Sequence, residues 1–380
     1  MKTLLITFDF PPIVGGISTV FYNVWKYLPG DDFCVLAPRV KGSAGWDKSF
    51  AGKVLRRRLP VKDTLLSKFL KLILLFFFCL AAVSRERIQY LLCGQPIIPG
   101  IIGLVMKKFR NIPFQVWVYG GEVVKFKHEK MIFRILLAVL KEADSVVVNS
   151  EFTRGVYVKL GVPEKKIITI TPAVDTDFFR PGMDTAALKA KYGISDKRVL
   201  MTVARLSERK GHDMVIRVLA RLKAKYPDLM YLIVGTGPDE KRLRALVLEL
   251  GVADRVIFCG GAADEELALY YNLCDIHIMP NRQVKGVDTL EGFGLSFIEA
   301  SACAKPVIGG RSGGSPEAVR DQVTGFIVDP FNVEVLADKV DLLLRDKGAA
   351  SKMGEAGRRR AVADFQWKDR AKIIEDFFKR

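Results

Sequence analysis

Histidine is scarce in this 380-residue chain: only His128, His212 and His277 occur. Three imidazoles so far apart provide neither a Ser/His/Asp order nor a Cys/His metal spacing. The six cysteines (Cys34, Cys79, Cys93, Cys259, Cys274 and Cys303) form no CxxC pair. Most lie in apolar runs, where a free thiol packs as a small hydrophobe, so a reducing, cytoplasmic compartment is expected. No leader with a cleavage site is expected, because Met1-Lys2 runs directly into the strand-like Thr3–Phe8. The most apolar run, Leu72–Val83, has 12 residues, short of the roughly 20 that a transmembrane helix needs. There is no short-period repeat and no GxGxxG dinucleotide fingerprint. No aromatic-basic platform or helix-turn-helix pattern supports a nucleic-acid partner.

What is present is an ample apolar content, 49%, enough for the cores of two ordinary domains. The net charge is +17 and is unevenly distributed. Residues 1–170 hold 26 Lys+Arg against 12 Asp+Glu, hence +14, whereas residues 171–380 hold 33 against 30, hence +3. A polyanionic partner (an acidic lipid surface, a diphosphate-bearing acceptor or nucleic acid) is therefore expected at the first half, the alternative being a basic surface with no partner. The Leu72–Val83 run has two readings. It is either a core helix or a membrane-surface helix, with Lys68, Lys71, Arg85 and Arg87 at its ends and Arg56–Arg58 just upstream.

Short β-rich runs alternate with helical patterns throughout. Strands are expected at Thr3–Asp9, Phe33–Ala37, Tyr90–Cys93, Phe114–Tyr119, Ser145–Asn149 and Ile167–Thr171. In the second half they fall at Val199–Val203, Met230–Val234, Val256–Phe258, Ile276–Met279, Pro306–Ile308 and Gly325–Val328. Ile17, Val20, Phe21, Val24, Trp25 and Leu28 make the stripe of a half-buried helix. Such alternation implies parallel sheets covered on both faces. Thr171–Gly182 has two prolines and no period and reads as a linker. The expected class is α/β, with two Rossmann-like, doubly wound domains facing a cleft. The first covers 1–172 plus a returning C-terminal helix at 365–380, and the second covers 173–364.

Three places can carry chemistry. Gly15 and Gly16 follow the first strand and open a helix, which makes either a tight connection or a phosphate site at the helix start. Arg205 and Lys210 follow the first strand of the second half, where carboxyl ends of strands line ligand crevices. Arg205 as a fork and Lys210 as a point charge suit one diphosphate. Glu291 and Glu299 lie eight residues apart around the Gly292-Phe293-Gly294 turn, with Leu295 opening a helix. Carboxylates accept sugar and ribose hydroxyls, and a helix start faces phosphate. Taken alone, a carboxylate pair suits a hydrolase as well. Asn281, Arg282 and Asp288 flank this loop.

The ensemble resembles the GT-B glycosyltransferases of family GT4. The likeness covers nearly the whole chain: Pro11-Pro12…Gly15-Gly16, Asn149-Ser150, Val174-Asp175, Arg205…Lys210-Gly211, Gly235-Thr236-Gly237, Glu291…Glu299 and Gly313-Gly314…Glu317. The stretch Met279–Arg282, Gly286–Asp288 and Glu291–Gly294 is similar to family members that mannosylate phosphatidylinositol mannosides. The resemblance implies a retaining, metal-independent hexosyltransferase. Its donor would be a nucleotide-diphosphate sugar (GDP-mannose or a UDP-sugar), and its acceptor membrane-associated or an envelope glycan or lipid, met at the inner face of the cytoplasmic membrane. It implies that Gly15 and Gly16 bind through backbone N–H and that Arg205 and Lys210 neutralise the leaving diphosphate. Glu291 would touch the donor sugar and Glu299 the ribose, while the N–H groups of Phe293, Gly294 and Leu295 hold sugar and phosphate. The family often places His-Gly near the donor sugar, where this chain has Tyr119-Gly120. A phenol donates a hydrogen bond but is no base at neutral pH. The alternative is therefore a divergent relative, a sugar-nucleotide epimerase or a binding protein, with Tyr119 as the reason.

Overall fold

The computed structural model describes residues 1–60, 64–284 and 291–379. The chain divides into two compact units, Met1–Pro172 with Trp367–Arg380, and Ala173–Gln366.

The first unit holds seven strands: β1 (Thr3–Ile6), β2 (Phe33–Pro38), β3 (Val54–Arg57), β4 (Tyr90–Cys93), β5 (Phe114–Val118), β6 (Ser145–Val148) and β7 (Ile167–Thr169). Their order in the sheet is β3-β2-β1-β4-β5-β6-β7, with every neighbouring pair parallel. The second unit holds six: β8 (Arg198–Val203), β9 (Leu229–Val234), β10 (Val256–Gly260), β11 (Ile276–Met279), β12 (Val307–Gly310) and β13 (Gly325–Val328). They are again all parallel, in the order β10-β9-β8-β11-β12-β13. Strand order reverses between β1 and β4 in one sheet and between β8 and β11 in the other, the switch points at which doubly wound sheets bind ligands.

The inner strands read as continuous apolar runs because both faces are covered. Leu4, Leu91, Val116 and Val146 lie in the first core, and Leu200, Ile233, Ile278 and Ile308 in the second. The expected strands are present, several of them one to three residues shorter or longer at an end. β3 had no counterpart among them. It is four residues long and half-exposed at the sheet edge, and its Arg56 and Arg57 break the apolar signature. Charged, short edge strands resist pairing with other chains.

The Leu72–Val83 run is the interior of a longer helix, Leu65–Glu86, of 22 residues. Thr64 caps it by accepting the Ser67 N–H, which starts the helix two turns before the apolar run. The Trp367–Lys379 helix belongs to the first unit, where Phe377 and Phe378 pack edge-on against Tyr90, and Phe378 also against Phe33.

Candidate active site

In the second unit, β8 ends at Val203 and leads through Arg205 to a 3-10 turn, Glu208–Lys210. Gly211 then admits the His212–Leu222 helix. Its φ is +75°, and a Cβ there would lie 2.2 Å from the Pro280 carbonyl oxygen, so only glycine fits. The turn directs Lys210 and Arg209 at one carboxylate. Lys210 Nζ donates to Glu291 Oε2 at 2.5 Å, and Arg209 Nη1 donates to the same oxygen at 2.8 Å. Burial pushes the Glu291 carboxyl up, but the Lys210 and Arg209 charges outweigh it and hold the group below the usual carboxylate range.

The far side of Glu291 is fixed by backbone. Gly314 N–H donates to the Glu291 carbonyl, and Gly313 (φ +60°) lies so close that a Cβ would be 2.1 Å from that oxygen. Arg282 N–H donates to the Arg209 carbonyl at 2.8 Å, tying the segment after β11 to the cationic turn. Both Asn281 and Arg282 are buried and occupied structurally. Arg282 Nη2 donates to both oxygens of Asp213, and Asn281 bonds Ser312, Ser315 and Gly310. Asp288 lies outside the described residues.

Gly294 (φ +95°) precedes the Leu295–Ala302 helix, which opens with no side-chain cap and no acid in its first turn. That leaves the helix start electropositive and its first N–H groups available for an anion. Phe293 is buried against Phe365 and anchors the turn. Glu299, one helical turn further on, accepts a 2.7 Å hydrogen bond from the Tyr271 hydroxyl. Burial raises its carboxyl to about 7; the Tyr271 bond pulls downward and nearby Asp264 pushes upward. His277 sits beneath the same helix with Nε2 at 3.3 Å from Ser296 Oγ, and burial followed by the Lys210 charge lowers it to about 3. It is neutral at physiological pH, a packed core histidine.

Of the residues singled out from sequence, the structure brings Lys210 and Glu291 into contact. Arg205 is exposed two residues beyond β8 and, among the described residues, is not part of the Glu291 cluster. Arg209 holds the guanidinium position there. Arg205, Arg209 and Lys210 look alike as a charge run, and only the 3-10 turn decides which of them converge.

In the first unit, Gly15 caps the Gly16–Trp25 helix, which likewise has no side-chain cap and no acidic first turn. Both glycines are exposed, and a Cβ on Gly15 would meet nothing within 4 Å. Tyr119 follows β5. Its hydroxyl donates to the Gly94 carbonyl at 3.4 Å, and its N–H donates to the Glu122 carboxylate at 3.1 Å. Burial first, then Glu122 and Asp9, push the Tyr119 phenol well above its ordinary value, so it serves as a neutral donor. Glu122 also accepts from Tyr157 at 3.3 Å. After β1, Asp9 Oδ2 accepts from Gln95 Nε2 at 2.6 Å. Glu122, Asp9 and Gln95 carry no motif in the sequence; the strand order alone collects them with Tyr119 at carboxyl ends of β1, β4 and β5.

Two family profiles cover most of the chain: Glycosyltransferase Family 4 over residues 14–178, and Glycosyl transferases group 1 over residues 184–360. A GDP-mannose-dependent alpha-(1-6)-phosphatidylinositol monomannoside mannosyltransferase of Mycolicibacterium smegmatis is 33% identical, over 98% of this chain and 97% of its own length. The enzyme of the same description from Mycobacterium tuberculosis is 30% identical over 100% of this chain and 98% of its own. Among solved structures, Anabaena HepE with UDP and glucose aligns with a TM-score of 0.84 at 19% identity, covering 100% of this chain and 99% of that one. Sucrose-phosphate synthase of Thermosynechococcus elongatus aligns with a TM-score of 0.82 at 22% identity, covering 100% and 98%. At such identities these structures speak for the GT-B fold alone.

Proposed function

This chain belongs to the group 1 glycosyltransferases of family 4, and on that premise we propose that it moves mannose from GDP-mannose, or a hexose from a UDP-sugar, onto a membrane-associated lipid or glycan acceptor with retention of configuration. The observation that carries the donor half is the Glu291 carboxylate gripped by Lys210 and Arg209 at the β8/β11 switch point. GDP-mannose is favoured over UDP-sugars because the relatives matched over nearly their whole length bear that dependence in their names.

In this mechanism Lys210, Arg209 and exposed Arg205 meet the charge that develops on the diphosphate as the glycosidic bond breaks. The N–H groups at Phe293, Gly294 and Leu295 add the electropositive helix start. Glu291 accepts hydroxyls of the donor sugar, and Glu299 accepts those of the ribose. The acceptor oxygen enters on the face the diphosphate leaves, and its proton passes to a donor phosphate oxygen. With fixed cations and helix N–H groups supplying the charge stabilisation, the reaction needs no divalent metal. Gly15 and Gly16 offer backbone N–H groups to the diphosphate or the acceptor, and Tyr119 donates a hydrogen bond where relatives often have histidine. On this assignment the protein works at the inner face of the cytoplasmic membrane.

The test is incubation with GDP-mannose and, in parallel, UDP-glucose, in the presence of phosphatidylinositol mannoside or a bacterial lipid extract. Product linkage is read by NMR, and each reaction is repeated in EDTA. Transfer giving an α-linked product, undiminished by EDTA, is expected. Tight nucleotide binding without transfer to any acceptor would move the assignment to the epimerase or binding-protein alternative that Tyr119 raises.

A further inference from the structure

The Leu65–Glu86 helix carries an apolar face that the first unit does not cover. Leu65 is 85% exposed, Leu66 77%, Phe69 61%, Leu70 44% and Phe77 59%. At 100° per residue these side chains, with half-buried Ile73, fall within an arc of about 140°. Ser67, Leu75, Cys79 and Ala82 are buried and occupy the opposite side, an arc of about 120° by the same spacing. A stripe of large aliphatic and aromatic groups left in water over three turns is a binding surface by default.

We propose that this stripe docks the protein onto an anionic lipid bilayer, with the helix lying in the interface rather than spanning it. At about 33 Å the helix is long enough to cross the hydrocarbon core. Its other face, however, is part of a globular core: Leu75, Cys79 and Ala82 pack with Leu4, Leu91 and Met106, so only one side is free for lipid. The insertion depth is that of side chains, with Leu65, Leu66, Phe69 and Phe77 entering the boundary between headgroups and acyl chains.

Charge selects the occupant. Lys68 is exposed in the first turns of the helix, where Lys71 is half-buried, and Arg85 and Arg87 are exposed at its other end. The Arg57 guanidinium lies 5.3 Å from the Phe78 ring centroid, which sets the basic β3 edge, with exposed Arg58, against this helix. Residues 1–170 carry +14. A second copy of this chain would bring the same charge to the stripe and be repelled, whereas anionic headgroups supply the complement. The surface stands on its own geometry; it rests on the proposed transferase only for its purpose, to hold the first unit where a lipid-borne acceptor resides.

Flotation of the full chain with phosphatidylcholine vesicles, with and without phosphatidylglycerol, tests the proposal. Wild type should float with the anionic vesicles and be released by salt. The double variant Leu66→Glu/Phe69→Glu, at positions outside the core, should fold normally by circular dichroism and lose binding by at least about tenfold. A Phe69→Trp variant should be quenched by brominated phospholipid. Equal flotation of the double variant, no flotation of wild type, or a lipid-free dimer that the double variant dissolves would each overturn it. Donor hydrolysis by the double variant in lipid-free buffer should match wild type; loss of hydrolysis in Lys210→Ala alone bears on the donor site, so the two proposals fail separately.

Discussion

Lys210, Arg209 and Glu291 form one electrostatic unit, with single-residue consequences. In the second unit the carboxylate holds two cations whose side chains are only 12% and 22% exposed. Lys210→Ala removes a fixed positive charge from the proposed diphosphate site. It should lower kcat by about 10²–10³-fold, the range for losing one preorganised donor, with a smaller change in KM; steady-state kinetics on both donors decide this. Tyr119→Phe separates two roles. The hydroxyl's bond to the Gly94 carbonyl is long, 3.4 Å, so its loss should cost no more than ~1 kcal/mol of stability. A fall in kcat of tenfold or more with an unchanged melting temperature would place the phenol on the sugar, and equal activity would make it structural. Glu299 adds a pH signature. Its carboxyl titrates at about 7 in the folded chain against 4.5 ordinarily. The folded state therefore binds more protons than the unfolded one between those values. This contribution to stability is full below pH 4.5 and is lost as pH rises through 7. On the proposed ribose contact the ionised carboxylate is the stronger acceptor, so GDP affinity should strengthen from pH 6 to pH 8. Titration calorimetry of wild type and Glu299→Gln checks this, and the variant should be flat over that interval.

Elements rather than residues decide which of these groups meet. The Glu208–Lys210 turn is three residues long and has no strand or helix period to read. The sequence singles out Arg205 and Lys210 and passes over Arg209, and the turn alone directs Arg209 together with Lys210 onto Glu291. β4, β6, β11 and β13 are four residues each, no longer than β3; they were legible because they are mostly apolar runs bounded by polar or glycine-containing segments. β3 was not, since two arginines in four residues look like a solvated loop. Leu65–Leu70 was not singled out for a similar reason: Ser67 and Lys68 interrupt it, and only the Thr64 cap shows that the helix begins there. The glutamate pair with Lys210 was legible as a motif; Glu122, Asp9 and Gln95 were not, because their neighbourhood is made by parallel pairing of β1, β4 and β5. Gly211 is the position at which the turn is most vulnerable. Gly211→Ala forces a Cβ into left-handed backbone against the Pro280 carbonyl, at a cost above ~1 kcal/mol. It should lower the melting temperature and weaken GDP binding together, because the displaced turn carries Arg209 and Lys210.

For the whole molecule, the chain order and the unit order differ. Residues 173–366 make one unit, after which the chain returns residues 367–380 to the other. The returning helix is a structural part of the first unit: Trp367, Ala371 and Ile374 are buried, and Arg370 Nε donates to the Thr171 carbonyl at 2.9 Å. Its terminal rings Phe377 and Phe378 cover Tyr90 at the start of β4, and Phe378 covers Phe33 at the start of β2. These are the amino-terminal ends of the strands, opposite the carboxyl ends where Asp9, Gln95 and Tyr119 gather. Truncation at Gln366 should therefore strip a hydrophobic cover from the first unit without touching a chemical group. Each edge-on aromatic pair contributes about 0.5–1.5 kcal/mol beyond its burial, so several kcal/mol should be lost from that unit alone. Hydrogen exchange is the suitable measurement, because local opening free energies are read segment by segment. Protection should fall across β1, β2 and β4, while β8, β9 and β11 keep theirs and GDP still binds. A uniform loss across both sheets would instead mean that the two units unfold as one.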